Sequence, residues 1–411
     1  MTTFGTGLVC RLGSMMRLSA GLAALSAIAA AAMPALAAAA ERATIVQEGD
    51  SVVLIPPKAA TPFANDYANA RGRSVPKAAM AATSPVAEAV TPADPRKLFG
   101  PAGSAAGGVG DGKTSPVRVA PARNPSEASI SSDGDDPAQP EEFGLSNRPF
   151  TTNRVDPADD VITDSYPFRA AGRLFFKIDG DTYVCSAALI KPGIVVTAAH
   201  CVVDFGQRGF FSDFEFVPAY TNGIAPYGVW KAARVRVRRS YVDGTALCDP
   251  TAPGVVCRND VALIRLEAQG GAYPGTSTGW FGYGWNGYGF TSAGVTHITQ
   301  LGYPVSLDHG LLMQRTDSQG VVSPERAGNT LIGSLMGGGS SGGPWVLNLG
   351  IAPTLSNTFL GYGAARNTIV GVTSWGYMDP SVKEQGASPF TSSNIVPMVD
   401  AECAAVPAAC S

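Results

Sequence analysis

The chain runs to 411 residues with a formal net charge of −3 and a sequence pI near 5.7, which argues against nucleic acid or an anionic membrane as its main partner. Apolar residues make up 45% and charged residues 15%, so the chain as a whole is neither disordered nor fibrous. With 48 Gly and 31 Pro, long uninterrupted helices are excluded as the dominant element.

Arg11 and Arg17 precede an alanine-rich apolar run over 18–40, and Ala35-Leu36-Ala37 offers a small-residue exit. Basic flank, apolar stretch and A-x-A exit predict a secretory signal peptide over 1–37, and with it a secreted or periplasmic protein. The run approaches the ~20 residues that span a bilayer, but alanine is a weak membrane former and no second apolar segment follows. No stable membrane anchor is therefore expected once the signal is removed. A start at Met15 or Met16 gives a shorter basic flank, and Cys10 lies outside the mature protein.

Residues 38–160 hold fifteen of the 31 prolines, yet only four aromatics stand between 41 and 149: Phe63, Tyr67, Phe99 and Phe143. So few large apolar groups cannot offset the entropy of ordering. The segment is predicted as a mostly disordered Pro/Ala-rich pro-region or linker. Ile45-Val46 and residues 51–55 fit an isolated strand, and with it a small inhibitory element. The acidic cluster at 133–142 lacks EF-hand spacing and reads as a solvated charged stretch.

Residues 161–411 contain all five tryptophans and six of the seven cysteines. Arginine and valine alternate strictly over 234–238, and 260–266, 297–301 and 368–375 are short apolar runs bounded by turn residues, which is the pattern of strands. Asp179-Gly180-Asp181, between 174–178 and 183–190, is a hairpin signal. One helix is expected near Asn394, with Pro397 tolerated in its first turn. About 250 residues of short strands suit one or two antiparallel barrels.

In an oxidising compartment the six cysteines of this zone read as neighbouring disulfide pairs: Cys185 with Cys201, Cys248 with Cys257, Cys403 with Cys410. Six cysteines permit 15 connectivities, and loop length favours the neighbours. No C-x-x-C pattern or nearby Cys/His grouping suggests a metal. Neither metal nor cofactor is expected.

Three segments carry chemistry. The run Gly337-Gly338-Gly339-Ser340-Ser341-Gly342-Gly343-Pro344 sits between core-like stretches, where glycines around a serine let backbone N–H groups face an oxyanion. It fits the α/β-hydrolase elbow G-x-S-x-G at Ser340 or Ser341, but that fold needs a histidine after the serine. His200, His297 and His309 all precede it. Upstream, Val195-Val196-Thr197-Ala198-Ala199-His200-Cys201 ends a strand on a histidine beside a bridging cysteine. Asn259-Asp260 then precedes a continuous apolar strand, where a carboxylate at a core edge can orient an imidazole. His297 and His309 lack such a setting and read as structural.

The motifs T-A-A-H-C, N-D-x-A-L and G-x-S-G-G-P, in this order, resemble those of the trypsin/chymotrypsin-like serine proteases over about 165–403. Gly302-Tyr303-Pro304, the Cys185/Cys201 pairing and the Pro-rich leader look most like the secreted bacterial branch that includes glutamyl endopeptidases. The resemblance implies an all-β, chymotrypsin-like fold over 161–411: two antiparallel six-stranded barrels and a short C-terminal helix, behind a largely disordered leader. It implies a monomeric serine endopeptidase, made as a precursor, that acts on protein or peptide substrates through an acyl-enzyme. Ser341 would be the nucleophile, His200 the base and then acid, and Asp260 the orienting carboxylate. The N–H groups of Gly339 and Ser341 would form the oxyanion hole, and the leader itself is a candidate partner.

The chain departs from the family in three places. Ser340 stands where many members carry an aspartate that pairs with a freed N-terminal amine, so activation is expected to come from unblocking the cleft. Arg148 and Arg154 are the candidate maturation sites. Gly337 replaces a pocket-spanning cysteine, and Leu335 stands where basic-specific members carry a charge. With Thr373, Ser374, Trp375 and Gly376 as the expected wall, pairing substrate as an added strand, the pocket is expected to take a neutral residue. Glutamate-specific relatives place a histidine at Thr373. The rival readings are an inactive homologue acting as a secreted binding protein, and a structural envelope protein that retains its leader.

Overall fold

Local alternation in the sequence becomes strands on both sides of residue 160. The computed structural model describes residues 43–58, 65–79, 91–124, 148–157, 160–351 and 364–411. All of these belong to one compact unit, Glu41–Ser411. The expected signal peptide, Cys10 and the acidic cluster at 133–142 lie outside the described residues.

Seven short strands precede the barrels: β1 (Thr44–Glu48), β2 (Ser51–Ile55), β3 (Arg71–Gly72), β4 (Lys77–Ala78), β5 (Gly103–Ala105), β6 (Val117–Arg118) and β7 (Phe150–Arg154). Seven more follow: β8 (Ala171–Ile178), β9 (Asp181–Lys191), β10 (Ile194–Thr197), β11 (Ser212–Pro218), β12 (Ile224–Ala225), β13 (Trp230–Arg238) and β14 (Ala262–Leu266). Six of these close an antiparallel ring in the order β13-β11-β8-β9-β10-β14, with β14 returning to β13. The hairpin between β8 and β9 turns on Asp179 (φ 51°) and Gly180 (φ 93°), the left-handed pair of a tight right-twisted hairpin. Inside the ring Phe175, Leu189, Val195, Val235, Val237 and Ile264 are fully buried. Each contributes about 1.5–3 kcal/mol of transfer free energy.

The second barrel is built from β16 (Val295–Gly302), β17 (Gln314–Ser323), β18 (Asn329–Gly333), β19 (Pro344–Leu347), β20 (Thr368–Tyr377) and β21 (Glu384–Pro389), after a short β15 (Gly282–Trp285). Its ring runs β19-β16-β17-β18-β21-β20 and closes through β19 and β20. Trp345 is fully buried in its interior, and Trp375 is fully buried against its outer face. The C-terminal helix α1 (Ile395–Ala405) starts where expected, with the Asn394 side chain accepting the Ile395 N–H. Cys185–Cys201, Cys248–Cys257 and Cys403–Cys410 are disulfide-bonded.

The leader differs from its composition. Where few apolar groups argue for an unpaired chain, its described stretches borrow order from the barrels. β1 and β2 form a hairpin whose second strand pairs with β13, β5 pairs with β15, and β7 with β17. β3 lies parallel to β9 and β4 parallel to β20. Side chains reinforce the docking: Asn65 donates to Glu215 Oε2 at 2.8 Å, and the Tyr67 hydroxyl donates to the same oxygen. Glu48 pairs with Arg236 at 2.6 Å, and Arg236 also pairs with Glu402 of α1 at 2.7 Å.

Candidate active site

β10 carries a fully buried Ile-Val-Val-Thr run, and the chain then tightens into one 3₁₀ turn, Ala199–Cys201. The Cys185–Cys201 disulfide ties this turn to β9, so His200 leaves a rigid strand end. Asp260 stands just before β14, which pairs with β10, and the strand pairing brings the two residues together. Asp260 Oδ2 lies 2.8 Å from His200 Nδ1, and Asp260 Oδ1 accepts the His200 backbone N–H at 2.8 Å. The carboxylate is only 1% exposed and the imidazole 3%.

Burial raises the Asp260 carboxyl, but the His200 charge and the hydrogen bonds from His200, Ser374 and the His200 backbone outweigh it. The net result lies below the ordinary carboxylate range. Burial above all, with the neighbouring Asp260 and Asp204 charges, holds the Tyr241 phenol well above its ordinary value.

Ser341 belongs to the glycine run ahead of β19. Its carbonyl accepts the Ser186 N–H at 2.8 Å, and the Gly342 N–H donates to the Thr373 carbonyl at 2.8 Å, so the serine is pinned between β9 and β20. Two glycines are required here. Gly339 has φ +91° and a Cβ on it would lie 2.6 Å from the Tyr303 carbonyl oxygen; at Gly342, φ +76°, a Cβ would collide with Thr197 Oγ1. Ser341 Oγ and His200 Nε2 are both buried, and neither has a hydrogen-bond partner among the described residues. The Ser340 hydroxyl turns back to the Gly337 carbonyl at 2.7 Å, which satisfies it locally and leaves no charge for an N-terminal amine.

The expected pocket wall divides at a register shift in β20 between Thr373 and Trp375. A cavity of about 70 Å³ is lined by Ser334, Leu335, Met336, Gly337 and Gly376, and by Val75 and Lys77 of the leader. Thr373 points into the barrel, while Trp375, past the register shift, packs on the outer face with Leu331 and Tyr377. Trp375 Nε1 donates to Asn329 Oδ1 at 3.0 Å, and Thr373 Oγ1 accepts from Gln300 and from Trp345 Nε1. Ser374 points toward Asp260, its hydroxyl donating to Asp260 Oδ2 at 2.5 Å.

The sequence reading missed a buried amide network. Gln300 donates to Gln385 Oε1 at 2.6 Å, Ser334 donates to Gln300 Oε1 at 2.8 Å, and Gln385 donates to the Met336 carbonyl. Gln300 and Gln385 lie on β16 and β21, and Ser334 and Met336 in the loop after β18, with no shared motif, so spacing gave no signal. Charged side chains also line the cavity, Asp379, Lys383 and Glu384 among them, and the Glu384 carboxylate is paired with Arg148, both buried.

The fold also brings the sulfurs of Cys185 and Cys201 and a ring nitrogen of His200 within 4.8 Å of one another. Both sulfurs are consumed by the disulfide, so they are not thiolate ligands. Among the described residues no helix is long and apolar enough to cross a membrane.

The cleft is filled by the leader. The Gly339 N–H donates to the Arg73 carbonyl at 3.0 Å, the Arg73 N–H donates to the Val184 carbonyl at 2.8 Å, and the Gly376 N–H donates to the Pro76 carbonyl at 2.9 Å.

A sequence model of one protein family, described as trypsin, matches residues 163–394. Over 123 residues the chain is 28% identical to an extracellular metalloprotease of Bacillus subtilis (strain 168), a stretch that is 29% of this chain and 34% of that protein. The match thus spans about a third of that relative's length. Among solved structures, the protease Anisep from Arthrobacter nicotinovorans aligns with a TM-score of 0.44 and 24% identity, over 58% of this chain and 96% of its own. A Glu endopeptidase in complex with MPD aligns with a TM-score of 0.43 and 19% identity, over 62% and 96% of the two chains.

Proposed function

The chain belongs to the trypsin family and is a serine endopeptidase, and from that premise we propose that it is exported as a precursor and cleaves peptide bonds through Ser341, His200 and Asp260. In this reading 1–37 is the signal peptide, 38–160 the pro-region and 161–411 the enzyme. The observation that carries it is the buried His200–Asp260 pair, with both carboxylate oxygens engaged by His200. Such a carboxylate fixes the imidazole tautomer, leaving Nε2 to act as base. Three disulfides suit an oxidising destination.

The chemistry follows from the donors present. Ser341 Oγ attacks the scissile carbonyl carbon while His200 Nε2 takes its proton, and the carbonyl π pair moves onto oxygen. The N–H groups of Gly339 and Ser341 stabilise that oxyanion. As the C–N bond breaks, His200 returns the proton to the leaving amine, and an acyl-enzyme remains on Ser341. Water then attacks with His200 as base, and Ser341 departs reprotonated. The Arg73 carbonyl on the Gly339 N–H supports that role, since it is a peptide carbonyl seated on the proposed donor.

At the residue before the cut, Leu335 supplies no charge, and we propose a neutral, apolar or small preference. Protein or peptide chains are the substrates and no cofactor takes part. Labelling of the processed enzyme by a fluorophosphonate, with Ser341→Ala as control, tests the reading. Absence of labelling favours an inactive homologue that binds without cutting.

A further inference from the structure

The direction in which the leader crosses the cleft carries a consequence for regulation, one that rests on the triad reading above. His200 must hand its proton to the leaving amine, so the C-terminal half of a substrate departs on the His200 side. That side is β9, because Cys201 beside His200 is bonded to Cys185, the neighbour of Val184. The N-terminal half then lies along Gly376 and the Leu335 cavity. A productive substrate thus runs from Gly376, past Gly339, to Val184.

The leader runs the other way. Its Arg73 N–H meets the Val184 carbonyl, its Arg73 carbonyl meets the Gly339 N–H, and only afterwards do Pro76 and Ala78 meet Gly376 and Met378, with the Met378 N–H donating to Ala78 at 2.9 Å. The parallel pairing of β4 with β20 records the same polarity. Val75 lines the Leu335 cavity at 1% exposure. Arg73 is anchored over His200's side of the cleft: its guanidinium pairs with Asp204 and lies 5.2 Å from the Phe211 ring centroid.

We propose that residues 71–78 are a built-in inhibitor strand that occupies the substrate cleft with reversed polarity, blocking it without being cut. The nitrogen that would leave after attack on the Arg73 carbonyl belongs to Ser74, which heads toward Gly376 and away from His200. Without a proton that amine does not depart, so attack by Ser341 reverts. The strand therefore persists until it is cut elsewhere, outside 71–78.

Gly72 offers a test that leaves the enzyme's own residues unchanged, because a Cβ there would lie 2.7 Å from the Val305 side chain and 3.1 Å from the Gly338 backbone. In the full-length chain, Gly72→Val and, separately, Arg73→Ala are compared with wild type by the rate of fluorophosphonate labelling at Ser341. Hydrogen exchange at the Gly339 and Gly376 amides and mass spectrometry of the leader are read on the same samples. The account expects labelling to rise about tenfold, the worth of roughly one charge-assisted hydrogen bond, with faster exchange at both amides and no cut within 71–78. Cleavage between Arg73 and Ser74 overturns the reversed polarity, because it marks the strand as a substrate. Unchanged labelling and exchange in both variants overturn the inhibitor role. Faster exchange with no labelling leaves the cleft-filling strand standing and overturns the triad reading instead.

Discussion

The Ser374 hydroxyl and the Asp260 carboxylate are joined by a 2.5 Å hydrogen bond to Oδ2, the same oxygen that faces His200 Nδ1. Ser374 thereby fixes the carboxylate that fixes the imidazole, without reaching the reacting atoms. Ser374→Ala in the processed enzyme is expected to lower kcat about tenfold and to leave KM nearly unchanged. A rise in KM at constant kcat would instead mark Ser374 as a substrate contact alone.

The depressed Asp260 carboxyl sets a sign for acid stability. A group held below its ordinary value of about 3.9 contributes stability that is complete above that value and is lost as pH falls through the native one. In a Ser341→Ala background, the gap in urea midpoint between Asp260 and Asp260→Asn should narrow as pH drops below about 4. A gap of constant size there would show that the carboxylate's charge contributes nothing. Turnover in Asp260→Asn is expected to fall about 10⁴-fold, a magnitude borrowed from the family's template.

A buried ion cluster binds the leader hairpin to the C-terminal helix. Glu402, 1% exposed, meets Arg236 at 2.7 Å and Arg265 at 2.9 Å, while Glu48 of the leader is 40% exposed. Glu402→Gln removes the buried carboxylate shared by Arg236 and Arg265, leaving Arg236 only the exposed Glu48, and should cost about 3–5 kcal/mol by urea unfolding. Glu48→Gln, solvated and screened, should cost under about 1 kcal/mol. Equal losses would contradict this ordering.

Cleavage of a peptide library by the processed enzyme is expected mainly after neutral residues, because Leu335 lines the cavity without a charge. Leu335→Asp should then favour Lys or Arg before the cut. A wild-type profile dominated by Glu, Lys or Arg would show that Asp379, Lys383 or Glu384 governs the pocket.

Local pattern made much of this legible. Alternation at 234–238 gave β13 its face, with Val235 and Val237 fully buried, and Asp179-Gly180 gave the hairpin its turn. The segments around His200, Asp260 and Ser341 each carry their own strand end or glycine turn, and it is their ordered motifs that carry the resemblance to the trypsin/chymotrypsin-like family. The leader was legible only at β1 and β2, where Ile45-Val46 and the apolar stretch within Ser51–Ile55 show. β3 and β4 are two residues each, too short for any period, and their order comes from the strands they meet far along the chain. Ser374 escaped for a related reason: its role depends on which side of β20 faces Asp260, and the sequence around it describes only a strand.

Fluorophosphonate modification mapped by mass spectrometry tests Ser341 as the nucleophile most directly. The account predicts one adduct on Ser341 in the processed enzyme, none in Ser341→Ala, and a fall in peptide turnover of about 10⁶-fold in that variant. An adduct on Ser340, or peptide cleavage undiminished in Ser341→Ala, would contradict it.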